Sequence, residues 1–322
     1  MKRVLSGIQP SGKPHLGNYL GAMRQHVAMQ KDYECFLFIA DLHALTTVRD
    51  PKLMKKQSLD IATSYLALGL DPEKTVFFKQ SALPEHAELC WIFDCITKMP
   101  FIERAHAWKD AQAKGKKEVS VGLFNYPILQ AADILLYQPD LVPVGQDQKQ
   151  HIEMTRDIAQ NFNNIFGEVF KLPDPEIKEE VAVVPGTDGQ KMSKSYGNTI
   201  EIFADDKTLK KQVMGIVTDS TPVEDPKDPE KCNVFKIYKL LASEEKVAEL
   251  AEKYRKGGFG YGDAKKTLLQ EILEHFSEAR EKYNEFQEKE DYVLEVLNDG
   301  AARAKKVAAA TLDHAKEKIG YK

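Results

Sequence analysis

Residues 35–41, CFLFIAD, set the tightest limit on what this chain can become. The apolar run at 35–40 is the longest in the 322 residues. It is far short of the ~20 needed to span a bilayer. Its length suits a buried strand. Shorter runs of the same kind lie at 3–6 (RVLS), 75–80 (TVFFKQ) and 141–145 (LVPVG). Between them fall helical stretches. One begins near His15 and continues to residue 30. A second opens at Asp50-Pro51, is apolar at Leu53, Leu59, Tyr65 and Leu66, and stops before Gly69 and Asp71-Pro72. A third covers 85–96, and a fourth runs from Asp147 to about Asn163. Strands alternating with helices imply an α/β fold, a parallel sheet with helices on both faces. Such sheets bind ligands at the carboxyl ends of their strands.

After residue 200 the texture changes. Leu268, Leu269, Ile272, Leu273, Phe276, Ala279, Tyr283 and Phe286 share one helical face over 267–286. Asn298-Asp299-Gly300 reads as the end of that region, with an Ala-rich helix following to Ile319. The acidic, proline-rich 219–231 reads as a loop, and GGFGYG at 257–262 as a helix–helix turn, since no strand precedes it. The last third is therefore helical, with the segment around 191–195 as a hinge between two domains.

A hydrophobic content of 43% suffices for a sizeable core, and a length of 322 residues fits one large domain or two ordinary ones. The N-terminus has no apolar stretch of signal-peptide length, so a cytoplasmic location is expected, with no membrane span. Net charge is −4, which leaves room for local basic faces at 114–117, 207–211 and 252–256 and at Arg303, Lys305 and Lys306. The four cysteines, Cys35, Cys90, Cys95 and Cys232, form no zinc pattern; Cys35 and Cys90 read as buried, reduced thiols.

Two stretches carry chemistry. PSGKPHLGN at 10–18 follows a strand and opens a helix. Gly12 and Gly17 allow close approach of backbone to a ligand, Pro14 sets the helix start, and His15 sits where unpaired N–H groups favour anions. Alternatively this is a Pro/Gly turn with an incidental histidine. GTDGQKMSKSYGN at 186–198 packs Lys191, Lys194, two serines and three glycines into one loop. That composition suits closure over a polyphosphate; the alternative is a solvated basic hairpin.

HLGN at 15–18 and KMSKS at 191–195 together resemble the paired signatures of class I aminoacyl-tRNA synthetases. SGIQPSGKPHLGNYLGA, ADLHALTT, YPILQAADILLYQPDLVPVGQDQKQHIEMTRDIAQNFN, GTDGQKMSKS and DGAARAKKVAAATL resemble the bacterial tryptophanyl branch along essentially the whole chain. The resemblance implies a Rossmann-like catalytic domain at 1–190, with a dimerisation insertion about 85–140. A KMSKS loop and helical anticodon-binding domain would occupy 191–300, and a C-terminal helix 301–322. It implies a homodimer that activates L-tryptophan with ATP, accompanied by Mg²⁺, and charges tRNA(Trp).

Carried over residue by residue, the resemblance assigns His15, Lys191, Ser193 and Lys194 to catalysis. It assigns Gln9, Pro10, Ser11, Gly17, Asn18, Gly145, Gln146, Asp147, Met192 and Ser195, with the KMSKS lysines and serine, to ATP. It assigns Leu5, Gly7, His43, Tyr126, Gln130, Asp133, Val144 and Gln148 to tryptophan. No metal ligands are assigned. The ionised substrate carboxylate is itself the nucleophile on the α-phosphorus, so no general base is needed; catalysis rests on positioning and charge stabilisation. Asp133, in an apolar helical stretch, is either exposed, a cap, or a buried acceptor for an indole N–H or a phenol O–H. Asn18 departs from the signature's final histidine, and the phosphate-binding lysine of 105–117 is open between Lys109 and Lys114. Cys232 matches one cysteine of the iron–sulfur subgroup and 254–263 supplies no others, so no iron–sulfur cluster is expected. The rivals are a tyrosyl-tRNA synthetase, disfavoured by Leu5 and Ser6 where tyrosine enzymes carry a phenol-reading tyrosine, and a catalytically silent tRNA- or nucleotide-binding paralogue.

Overall fold

The computed structural model describes residues 1–105, 108–109, 119–145, 148–177 and 184–322. Gln146, Asp147 and Lys114, singled out above, lie outside the described residues, as does the basic run 114–117.

Five strands, β1 (Arg3–Ile8), β2 (Glu34–Ile39), β3 (Thr75–Lys79), β4 (Leu141–Val144) and β5 (Asp174–Ile177), form one sheet in the order β3-β2-β1-β4-β5. Every pairing is parallel. The strand order reverses between β1 and β4, and the crevice at that point is the usual ligand site of such sheets. The segments leaving these two strands carry Gln9–His15 after β1 and Gly145 after β4. β5 has no counterpart in the sequence reading: Asp174 and Pro175 dilute any strand pattern, and its register is supplied by β4.

The expected helices form at Pro51–Ala67, Glu85–Ile96 and Lys149–Phe166. Asp50 caps the first of these, its carboxylate accepting from the Lys52 and Leu53 amides. The stretch after His15 is less regular than a plain helix. It runs α over Leu16–Asn18, π over Tyr19–Met23 and α over Arg24–Met29. Single π turns of this kind favour functional sites.

Two expectations in the last third are corrected. The apolar face of 267–286 belongs to two helices, Tyr261–His275 and Ser277–Glu288. Their junction is Phe276, at φ −105° and ψ 10°. Phe276 and His275 both pack against the Tyr19 ring there, at 4.8 and 5.7 Å between centroids, so the break falls where the helical part docks on the π turn.

The second correction concerns Asn298-Asp299-Gly300, which ends nothing. One helix runs from Glu290 to Ile319, through Gly300. It lies across β3 and adds Ala304, Ala308, Leu312 and Ala315 to the core that holds Leu5, Phe36, Phe38 and Phe78. The glycine is there because backbone meets backbone: a Cβ on Gly300 would stand 1.8 Å from the Phe77 carbonyl oxygen. Arg303, one turn on, donates to the Thr75 carbonyl at 2.8 Å. GGFGYG behaves as expected, with Gly257 and Gly258 at φ +77° and +74° between two helices. Among the described residues no helix is long and apolar enough to cross a membrane.

Gly300→Ala should lower unfolding stability by about 3 kcal/mol, the upper part of the range for overpacking a rigid contact. A urea melt checks this, and an unchanged midpoint would mean the helix can lift from β3 at no cost.

Candidate active site

The two signatures lie against each other. The Leu16 amide donates to the Ile200 carbonyl at 2.9 Å, and the Ile202 amide to the Pro14 carbonyl at 3.3 Å, with His15 and Glu201 bridged between them. Asn18 explains its own departure from the signature: its Oδ1 accepts the His15 amide at 3.2 Å and closes the first turn. The Gly17 amide points at the Met192 sulfur, 3.4 Å away. A Cβ on Gly17 would stand 2.9 Å from the His15 ring.

Lys194 reaches across and donates from Nζ to the Ser11 carbonyl at 2.6 Å. Gly12, at φ +93°, leaves the room: a Cβ there would meet Lys194 Nζ at 3.3 Å and Gln57 Nε2 at 3.5 Å. Burial, and then the Lys194 charge, push the His15 pKa down to about 4, so at neutral pH the ring is an uncharged donor. Burial also lowers Lys194 to about 8, with Glu201 and Asp60 opposing the shift. His15 Nδ1 and Gln57 Oε1 are buried without a hydrogen-bond partner among the described residues.

Asn198, not singled out in the sequence, clips the KMSKS loop. Its Oδ1 accepts the Ser193 amide at 2.8 Å, and its Nδ2 donates to Asp188 at 2.7 Å and to the Lys191 carbonyl at 3.1 Å. Gly186 is required beneath it, since a Cβ would come within 2.3 Å of the Asn198 amide. Ser193 Oγ accepts the Ser195 amide at 3.3 Å. Met192 is buried, whereas Lys191 and Ser195 are exposed. Gln9 and Ser11 are exposed and Pro10 is buried in the β1 loop; Gly145 is exposed after β4.

A second cluster lies past the ends of β2, β3 and β4. Tyr126, Gln130 and Asp133 follow i, i+4, i+7 along the helix Val121–Leu135 and so share a face. Asp133 is fully buried. It is neither exposed nor a cap: Oδ1 accepts from Gln80 Nε2 and His86 Nδ1, each at 2.7 Å, and Oδ2 accepts from His43 Nε2 at 2.7 Å. Burial alone would raise its pKa, but the bonds from His43 and His86 win and hold it at about 2. The His43 ring stands edge-on to Tyr126 at 6.0 Å. The Tyr126 hydroxyl meets His151 Nε2 at 2.9 Å, and His151 Nδ1 meets Gln148 Oε1 at 3.0 Å. Gly7 is open on one side and covered by the Phe38 ring on the other, where a Cβ would stand 2.6 Å from a ring carbon. Leu5 is packed in the core, and Val144 and Gln130 are half-buried. Gln80, His86 and His151 were missed because nothing in the sequence marks a polar residue as the partner of a distant carboxylate or ring.

Cys35, Cys90 and Cys232 are buried and Cys95 is exposed; all four are free thiols.

The profile of "tRNA synthetases class I (W and Y)" matches residues 1–277. A tryptophan–tRNA ligase of Fusobacterium nucleatum is 54% identical over 321 residues, covering 99% of this chain and 98% of that one. One from Campylobacter jejuni is 53% identical over 318 residues, covering 99% of each. The crystal structure of the Campylobacter jejuni tryptophanyl-tRNA synthetase complexed with ADP and tryptophan superposes with a TM-score of 0.94, at 53% identity and 99% coverage of both chains. A tyrosyl-tRNA synthetase of Archaeoglobus fulgidus shares the fold at 21% identity and a TM-score of 0.66. The five-stranded parallel sheet, the helices that follow it, the abutting signatures and the full-length relatives agree: the chain belongs to the class I tryptophanyl-tRNA synthetases, the tryptophan–tRNA ligases.

Proposed function

We propose that the HLGN helix start and the KMSKS loop hold one ATP between them, with His15, Lys191, Ser193 and Lys194 as the catalytic donors. The observation that carries this is Lys194 lying over the Gly12 turn beside a neutral, partly orphaned His15. The tryptophan carboxylate attacks the α-phosphorus; the bond to the bridging oxygen breaks, giving tryptophanyl-adenylate and pyrophosphate. A hydroxyl of the terminal tRNA ribose then attacks the activated carbonyl, and AMP leaves. Charge builds on the phosphoryl oxygens in the first step, where Lys194 and the His15 N–H supply fixed compensation. Lys191, exposed at the loop's edge, swings onto the outer phosphates as the nucleotide enters. The bound ADP and tryptophan of the Campylobacter jejuni enzyme support this division of the site.

Gln9, Pro10, Ser11, Gly17, Asn18, Gly145, Met192 and Ser195 frame the nucleotide in this reading. Gly7, His43, Tyr126, Gln130, Val144 and Gln148 surround tryptophan, with Leu5 behind them. The Tyr126–His151–Gln148 chain suits the substrate ammonium, and Asp133 accepts from the indole N–H. Among the described residues no group of three His, Cys, Asp or Glu side chains is arranged for a metal. Mg²⁺ would accompany ATP and offset charge on its phosphates.

The domain division of 1–190 for activation, 191–300 for tRNA(Trp) and 301–322 as the returning part of the Glu290–Ile319 helix belongs to the same proposal, as does a cytoplasmic homodimer. Trp91 is 66% exposed, Met99 58% and Val121 81%, all within the proposed dimerisation insertion. The exposure of these three large apolar side chains in one stretch of the chain supports a contact with a second copy.

Lys194→Ala should lower the ATP–pyrophosphate exchange rate by about 10²–10³ with a nearly unchanged KM for tryptophan; a loss confined to tryptophan KM would remove Lys194 from the phosphate. A group near pKa 8 that must stay protonated makes kcat/KM for ATP fall as pH rises through about 8. Lys194→Arg, always charged, should abolish that limb, and its persistence would assign it elsewhere. Trp91→Asp should shift sedimentation from dimer to monomer, and a dimer of undiminished affinity would put the contact on another face.

A further inference from the structure

We infer that Gln80 and His86 are positioning residues for substrate choice: they hold the Asp133 carboxylate as a pure acceptor, with one lone pair of Oδ2 kept for the indole N–H. The inference rests on the reading of Asp133 as the indole acceptor and adds what makes it one.

A carboxylate has about four lone-pair directions, two on each oxygen. On Asp133, Oδ1 is filled by the donors of Gln80 and His86, both at 2.7 Å. Among the described residues Oδ2 takes only the His43 donor, at 2.7 Å, so the remaining lone pair is on the oxygen that shares His43 with the ring pocket. The two holding residues are themselves locked. Gln80 Oε1 accepts the Leu42 amide at 3.1 Å, which fixes which end of the side-chain amide faces Asp133. His86 faces Asp133 with Nδ1 and is held from behind by the Tyr137 hydroxyl, 2.9 Å from Nε2. Gln80 and His86 spend their donors on Asp133, and Tyr137 spends its hydroxyl on His86, so all three act through Asp133.

The arrangement has a chemical consequence. A buried carboxylate short of donors takes up a proton and then presents an O–H of its own. Three charge-assisted bonds prevent that and aim the oxygen. A ring that brings an N–H completes the set, whereas an isostere without one leaves the Oδ2 lone pair buried and unpaired, which is the strong form of discrimination. The chain Tyr137–His86–Asp133 thus turns core packing around β3 into preference for an N–H-bearing ring.

The test compares kcat/KM for tryptophan with that for 3-benzothienylalanine, in which sulfur replaces the indole N–H, by pyrophosphate exchange. His86→Leu and Gln80→Met should each cut the preference for tryptophan 10- to 100-fold, the usual loss when a ligand-orienting partner is removed. His86→Asn, whose amide can donate along the Nδ1 direction, should recover most of it. Should His86→Leu fold poorly, Tyr137→Phe serves in its place, with a several-fold fall. Equal losses on both amino acids would make the two residues mere core and overturn the inference. Asp133→Asn separates the two levels. A preference that survives Asp133→Asn sinks the acceptor reading itself; one that collapses there but not in His86→Leu or Gln80→Met sinks the inference alone.

Discussion

Two backbone hydrogen bonds hold the functional part of this molecule together: Leu16 N–H to Ile200, and Ile202 N–H to the Pro14 carbonyl. They join segments more than 180 residues apart and bring the HLGN turn against the exit of the KMSKS loop. Everything proposed for the nucleotide depends on that stitch. Met192 meets the Gly17 amide because of it, and Lys194 can then span to Ser11. The same strip also leans on the helical part. Arg280 donates to the Ile202 carbonyl at 2.9 Å, and the Tyr283 ring stacks on Phe203 at 4.2 Å. A movement of the 277–288 helix is therefore felt one residue from the HLGN junction.

Burial sets opposite charge states in the two halves of the site. His15 and Lys194 lose solvent and gain few acceptors, so both are pushed towards their neutral forms. A triphosphate reverses that balance when it supplies negative charge. Asp133 loses solvent more completely, yet stays ionised because three donors surround it. The first half waits for a charged ligand, and the second is satisfied without one but for a single lone pair. That contrast suits a phosphate clamp beside a pocket that selects a neutral ring.

Much of the sheet was legible because it is written in short-range patterns. The apolar runs at β1 to β4 are dense and bounded by Gly, Pro and Asp, and Asp50-Pro51 carries both cap and first-turn chemistry. The misses share one cause, a tertiary contact overriding a local signal. Asn298-Asp299-Gly300 has the composition of a turn, but Gly300 is selected by the approach of the Phe77 backbone and the helix continues. The 267–286 face is periodic throughout, yet the helix breaks at Phe276 where Tyr19 docks. β5 lacks a pattern of its own and forms because β4 offers it an edge.

The alternation of β1 to β4 with helices and the two glycine-lined loops were determined by the sequence alone, because each is encoded within ten or twenty neighbouring residues. Whether a buried polar side chain is satisfied was decided only by the tertiary structure. The donors to Asp133 come from residues 43, 80 and 86, on segments that meet only when β2 and β3 are paired and the 121–135 helix is laid beside them. No local pattern specifies such a meeting, since the desolvation that makes it necessary exists only once the chain has closed around the carboxylate.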